Sequence, residues 1–286
     1  MKTKEIYKKY NLTYSFYSRF VKRTFDIILS LLAILILSPI LIIFYILTAI
    51  FHGFPAIYKQ PRPGKNHKIF YIYKFRSMNN KKDKDGNLLP DEQRITKYGK
   101  FIRKTSIDEL PQLFNILKGD MSFVGPRPRL VKDMMFYEKE VFDLYLVKPG
   151  LTGPTQAYGR NKNTWEQVFE MDIAYSHHIT FWTDVKIFFK TFTSVFTDRG
   201  DSRSNTDEDK QNSKEQEYYY ADYIKRIGKI SEEQYDYGQA LAKQTIANRA
   251  DLTYHPELHD QELFEKIMSD EEKAKNEIKK LKNNNK

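Results

Sequence analysis

Cysteine is absent from the 286 residues, which excludes disulfides and thiolate metal sites and suits a reducing compartment. Acid is scarce where base is plentiful. Residues 201–286 hold 15 Lys/Arg and 19 Asp/Glu, leaving 32 and 18 in the first 200. No small-residue cleavage site follows the one long apolar run, which also exceeds a signal-peptide core, so the run is expected to be retained. No recognised nucleic-acid motif accompanies the basic residues, and nucleic acid is not an expected partner. What the chain has in quantity is aromatic: 20 Tyr and 20 Phe. In a basic chain these point to a membrane interface or a ligand surface.

The apolar run extends from Ile27 to Phe51, 25 residues without a charge. As a straight helix it is about 37 Å long against a hydrocarbon core of about 30 Å. Residues 1–25 carry seven Lys/Arg and one Glu, and residues 52–82 carry eight and no acid. Both flanks therefore look cytoplasmic under the positive-inside rule. Ser38-Pro39 stands mid-run, where proline removes a backbone hydrogen bond and serine can satisfy the freed group. Two readings follow, a helix-break-helix hairpin that enters and leaves by one face, or a kinked span.

Beyond the run the expected fold is α+β and mainly helical, an interfacial catalytic domain with a small β-hairpin and amphipathic helices. Ala56–Lys59 and Lys68–Phe75 read as strands, with PRPG at 61–64 as their turn. Residues 79–94 read as a loop. Helical patterns follow at Ile95–Lys104, Asp108–Lys118, Leu130–Leu146 and Thr164–Ser176. Ile179–Phe196 suits either a helix in the headgroup plane or a core helix.

The most informative residues are Asp108 and Glu109, just ahead of the helical pattern Leu110, Leu113, Phe114, Leu117 that ends at Gly119. Pro111 belongs in a first turn. That places the start of the helix at Asp108 as N-cap, or at a capping box of Ser106 and Glu109. Adjacent helical positions do not face each other, so the two carboxylates should point different ways. Read alone, they are simply caps. Around them lie Lys74, Arg76, Arg103, Arg127, Arg129 and Arg160, in Gly/Pro-punctuated or strand-end positions, and arginine forks fit phosphate oxygens. Pro126 and Pro128 restrict the backbone about Arg127. KPGLTGP, Lys148 to Pro154, offers turn amides for an anion. A shared anionic ligand explains this set better than separate surface charges.

From Lys22 to about Gly200 the chain resembles the bacterial sugar transferases, the small monotopic phosphoglycosyltransferases. The likeness rests on KRTFD, the Ser38-Pro39 pair, QPRPG, IYKFRSM, SIDELPQLFNILKGDMSFVGPRP, VKPGLTG with a following GR, and FEMDIAYSHHITFWTDVKIFFKT with Asp172, Tyr175 and Asp184. The resemblance implies that Asp108 attacks the β-phosphate of a UDP-sugar and releases UMP. A polyprenyl phosphate such as undecaprenyl phosphate then takes the phosphosugar. Glu109 is implied as general base and Mg²⁺ as cofactor beside Asp108, with Arg103, Arg127 and Arg160 on phosphate charge. It also implies a re-entrant helix broken at Ser38-Pro39, membrane lipid as surroundings, a cytoplasmic-face catalytic domain at the bacterial plasma membrane, and downstream glycosyltransferases as partners in capsule or exopolysaccharide assembly. Pro154 departs from the aromatic common after the TG of KPGLTG.

The expected organisation is residues 1–55 as basic N-terminus and membrane element, 56–200 as catalytic domain, and 201–286 as an extension. Residues 201–217 read as a linker, and 218–250 and 260–282 as helical, either a partner-binding appendage or a solvated tail. The competing function is a non-catalytic membrane scaffold that binds anionic lipid and recruits partners through that extension. It leaves the dyad and the proline-clamped arginine unexplained.

Overall fold

The computed structural model describes residues 15–158, 163–197, 219–270 and 272. After a π-helical turn at Tyr17–Val21, helix α1 runs over Lys22–His52 with Pro39 inside it. The expected interruption at Ser38-Pro39 is absent, for a local reason. Pro39 has no N–H to offer the carbonyl of Leu35, and Ser38 Oγ donates to that carbonyl instead, at 2.8 Å. The hydroxyl replaces the missing rung, and helical backbone continues.

One face of α1 is laid along the protein from end to end. Asp26, Ser30, Leu41 and Thr48 are buried, and Ala33, Ile34, Leu37 and Phe44 are half-buried between them, a spacing of three and four with no lapse at Pro39. The other face is bare hydrocarbon, with Leu35 and Ile36 each 71% exposed and Ile50 70%. Among the described residues this is the one helix long and apolar enough to cross a membrane.

Strands β1 (Ile57–Pro63) and β2 (Ile69–Phe75) pair antiparallel, with Ile57 opposite Phe75 and Pro63 opposite Ile69. The Pro-Arg-Pro segment expected in the turn therefore lies within β1. A two-stranded ribbon is all edge, where proline's missing N–H costs no ladder bond. The turn falls instead at Lys65–His67, with Asn66 and His67 in the left-handed region.

Helix α2 (Lys97–Lys104) starts at Thr96, whose side chain accepts from Gly99 N–H. Helix α3 (Gln112–Lys118) stops at Gly119. Strands β3 (Ser122–Val124) and β4 (Gly150–Thr152) form a parallel pair too short to show in the sequence. The helix expected over Leu130–Leu146 is broken into turns at Val131–Met134, Lys139–Phe142 and Asp143–Leu146. Nearly every apolar side chain there is buried, including Phe136, Tyr137, Phe142 and Tyr145. One straight helix has one face to bury, so the segment folds back to bury all of them. Helix α4 (Trp165–His177) opens with a Thr164/Gln167 capping box, and α5 (Phe181–Thr197) follows.

Among its described residues the extension packs onto the domain and does not form a solvated tail. Helices α6 (Tyr220–Arg226) and α7 (Glu232–Asn248) bring Ala221, Ile224, Ile230, Ala242, Leu252 and Leu258 into one core with Val131–Tyr145 and α4. Gly238 shows how tight the fit is, since a Cβ there would lie 2.3 Å from Phe136 Cζ. The glycine costs α7 about 1 kcal/mol of helix propensity and lets it rest on the Phe136 ring. The linker expected at 201–217 lies outside the described residues.

Candidate active site

Asp108 and Glu109 sit in a 3₁₀ turn, Ile107–Glu109, ahead of α3. Neither expected cap forms. Ser106 is left-handed (φ 58°) and makes no side-chain cap bond; its N–H goes to Arg103 O at 3.1 Å. Glu109 is drawn the other way, accepting from Lys74 Nζ at 2.7 Å with Arg127 Nη2 at 3.7 Å.

The two carboxylates have different surroundings, as their adjacency on a helical turn predicts. Asp108, 8% exposed, is pushed up to about 6 by burial and by the Glu109 charge, against Lys74 and Arg103. A cap at a helix N-terminus would be held low; burial and a like charge overrule that here. Burial also works to raise Glu109, but Lys74, Arg127 and Arg62 outweigh it, and this carboxyl lies below its usual range. No other side chain hydrogen-bonds the Asp108 carboxylate among the described residues; its own backbone N–H joins Lys74 and Arg103 in lowering it. At neutral pH it is mostly ionised and has the stronger basicity of the two.

Strand alternation explains Lys74. Ile72 and Lys74 share one face of β2 and line a cleft with Glu109, Gln112, Arg62 and Arg127, floored by Gly150 and Leu151. Arg62 is the member that sequence reasoning missed. It lies between Pro61 and Pro63 as Arg127 lies between Pro126 and Pro128, and that repeated Pro-Arg-Pro frame was the available signal. Burial and the nearby Arg127 charge bring its guanidinium down to about 10. It donates to Gln60 Oε1 (2.7 Å) and to Pro128 O (3.1 Å).

The loop that carries Arg127 is tied down almost atom by atom. Gly125 N–H donates to Thr152 O and Gly150 N–H to Pro126 O, both at 2.9 Å. The Tyr145 hydroxyl accepts from Arg129 N–H at 3.0 Å and donates to Arg127 O at 3.1 Å. Tyr145 gave no signal in the sequence. A Cβ at Gly150 would lie 2.1 Å from Gly125 N, so only glycine lets the loop cross β4. The Gly150 amide expected to meet an anion is spent on this crossing.

The other expected site residues divide. Arg103 Nε donates to Ser77 Oγ at 2.8 Å, and its charge reaches Asp108. Arg76 is not among the residues that line the cleft. Its Nη1 donates to His52 O at 3.1 Å, closing the carbonyl end of α1, where a cation is favoured. Arg160 lies outside the described residues. Asp172 is buried, and burial pushes it up to about 7 against Arg129 and Arg127. Tyr175 and Asp184 act as anchors. Asp184 accepts from Tyr175 (2.6 Å) and Tyr17 (2.7 Å) hydroxyls and pairs with Lys22, fixing α4 and α5 to the start of α1. Asp26 accepts from Ser122 Oγ and Phe123 N–H, each at 3.0 Å, and Arg23 caps α3 through Ile116 O and Leu117 O, each at 2.7 Å. At the far end, Thr48 meets Tyr98 at 2.8 Å and His52 meets Thr96 at 3.0 Å.

The bacterial sugar transferase family matches residues 17–198. The uncharacterised sugar transferase EpsL of Bacillus subtilis strain 168 is 43% identical over 185 residues, covering 65% of this chain and 92% of its own. The undecaprenyl-phosphate galactose phosphotransferase of Salmonella typhimurium strain LT2 is 44% identical over 193 residues, 61% of this chain and 40% of its own. The UDP-glucose:undecaprenyl-phosphate glucose-1-phosphate transferase of Escherichia coli K12 is 36% identical over 200 residues, 66% of this chain and 43% of its own. The chain thus matches under half the length of the last two. With the dyad, its cations and the apolar helix all inside the matched span, the chain belongs to the bacterial sugar transferase family.

Proposed function

We propose that the protein moves a sugar phosphate from a UDP-sugar to a polyprenyl phosphate through a covalent intermediate on Asp108. The observation that carries this is the split dyad, the buried Asp108 carboxylate beside Glu109, which pairs with Lys74 at 2.7 Å and faces Arg127 at 3.7 Å; burial raises the first and the cations hold the second low. A carboxylate that is ionised yet basic is suited to attack phosphorus. An oxygen of Asp108 bonds to the β-phosphorus, the bond from that phosphorus to the bridging oxygen breaks, and UMP leaves with the electron pair. An oxygen of the acceptor phosphate then attacks the same phosphorus and releases Asp108. Lys74, Arg62 and Arg127 meet the charge that moves between these oxygens. Glu109, paired with Lys74 and Arg127, is a weak base; keeping an already largely anionic acceptor phosphate deprotonated asks little more. Its larger contribution is to hold both cations in place.

Mg²⁺ fits this donor set. Among the described residues no three His, Cys, Asp or Glu side chains converge, and Glu109 is taken. Mg²⁺ commonly binds one or two carboxylates together with substrate phosphates and water, and Asp108 is the carboxylate left for it. The ion would supply neutralising charge to the diphosphate.

The membrane arrangement follows from α1. Contacts from Arg23 to His52 hold about 43 Å of helix against the catalytic domain. A spanning helix would drag that domain into hydrocarbon, where its loops have no place. We read α1 as monotopic, with both basic flanks on the cytoplasmic side of the plasma membrane. Exposed Phe16, Phe20, Phe25, Phe181 and Trp182 extend its apolar face into the headgroup layer.

Incubation with Mg²⁺, undecaprenyl phosphate and a panel of UDP-sugars should release UMP, with Asp108→Asn abolishing release. The relatives' names put UDP-galactose, UDP-glucose and UDP-N-acetylgalactosamine first in the panel. Equal UMP from the variant would reject the intermediate, and none from any sugar in wild type would leave the scaffold reading.

A further inference from the structure

The family match ends at residue 198, yet the extension beyond it reaches the back of the arginine loop. Tyr220, at the start of α6, sets its ring against Trp165 (5.4 Å, edge-on), Phe169 (5.0 Å) and Tyr137 (5.3 Å). On Trp165 lies the Arg129 guanidinium, 4.9 Å from the ring centroid. Arg129 N–H is one of the two bonds by which Tyr145 fixes the loop, the other being to Arg127 O. Arg127 in turn faces Glu109 at 3.7 Å.

The extension is pinned at this point by polar contacts as well. Ala221 N–H donates to buried Asp133 at 3.2 Å, and Lys132 pairs with Asp222 at 3.0 Å. Both partners lie within a few residues of the loop. Polar pins and aromatic packing thus converge on the rear of Pro126–Arg129, the segment whose front carries the cleft's cation.

We propose that the extension is a working part of the anion site, with Tyr220 a positioning residue that acts through Trp165 and Arg129 on the aim of Arg127. This rests on the reading of the cleft as a diphosphate site. Arg127 is 42% exposed on its side chain, so its aim depends on its backbone. Tyr220 touches neither substrate nor dyad. Removing its ring takes away one of the aromatic faces against Trp165, Phe169 at 5.8 Å being another, and loosens the surface on which Arg129 stacks.

The test uses the full chain and two readouts, affinity for inorganic pyrophosphate and UMP release. Phe264→Leu is the control, a buried residue of the extension packed on Tyr237, away from the loop. Both Tyr220→Leu and Phe264→Leu should lower the melting temperature. Only Tyr220→Leu should weaken pyrophosphate binding and lower kcat/KM, each by about 3- to 30-fold, the usual range for coupling through packed neighbours. In an Arg129→Ala background Tyr220→Leu should have no further effect. Indistinguishable values for Tyr220→Leu and Phe264→Leu in both readouts, or a full Tyr220 effect without Arg129, overturn the proposal. Weakened pyrophosphate binding in a chain whose wild type releases no UMP would uphold it and reject the reaction instead.

Discussion

Asp108→Asn should make the protein more stable while destroying its activity. Asp108 moves from an ordinary value of 3.8 to about 6 in the folded chain. The folded state therefore disfavours the charged form, and stability is lost as pH rises from below 3.8 through about 6. Above both values the penalty is the whole shift, about 3 kcal/mol at 1.36 kcal/mol per unit. At pH 5 roughly half of it remains. An amide carries no charge to desolvate and feels no repulsion from Glu109, so it escapes the term. For a chain of this size about 3 kcal/mol corresponds to roughly 6–12 °C in Tm. The assay is a thermal scan of both proteins in the same detergent at pH 7.5 and pH 5. The expected result is a variant that melts higher at pH 7.5, with the gap shrinking toward pH 5. A variant that melts at or below wild type at pH 7.5, or a gap that holds constant with pH, would refute the idea that burial and the neighbouring carboxylate set the state of Asp108.

Three further outcomes follow from the same geometry. Lys74→Met removes a cation that lowers Asp108, so the acid limb of the kcat/KM profile should move up in pH from about 6 by about one unit; an unmoved limb between pH 5 and 9 would dissociate Lys74 from the dyad. Tyr145→Phe strands two half-buried backbone groups of the arginine loop at about 1–3 kcal/mol, and kcat/KM for the UDP-sugar should fall about tenfold, with unchanged kinetics counting against the tether. Because the chain has no cysteine of its own, Ser18→Cys and Lys59→Cys can be labelled from either side of a vesicle. Both should react from the same side, and opposite-side labelling would restore a spanning helix.

Much of the site was legible because short-range rules wrote it. The dyad announced itself by adjacency ahead of a helical pattern, Lys74 by its place at a strand end, and Arg127 by its flanking prolines. The caps were misread because the sequence shows which side chains are able to cap, but not that Lys74 and Arg127 would compete for Glu109 and win. Nothing local distinguishes a phosphate ligand from a cation at a helix end, and only the fold places His52 O beside Arg76. Tyr145 and β4 belong to contacts made across 16 and more residues, with no period to betray them. Ser38-Pro39 was read correctly as chemistry and wrongly as geometry, since the hydroxyl that serves a break also serves to avoid one. The extension misled through its composition. Among its described residues most charges face water, Glu257 being buried, while Tyr220, Ala221, Ile224 and Leu258 face the core, and an average over the segment hides that division.

The shared core has a consequence for how the protein comes into being. The residues that close it extend to Leu258, whereas the membrane-seeking stretch ends at Phe51. The ribosome must add about 200 residues between the two, which takes roughly 10–40 s at ordinary elongation speeds. Through that interval the nascent chain carries its apolar run, and Phe136, Tyr137 and Trp165, once made, await the partners that cover them. The apolar run is thus made well before the core is complete, and the arginine loop gains its backing only once Tyr220 has been added.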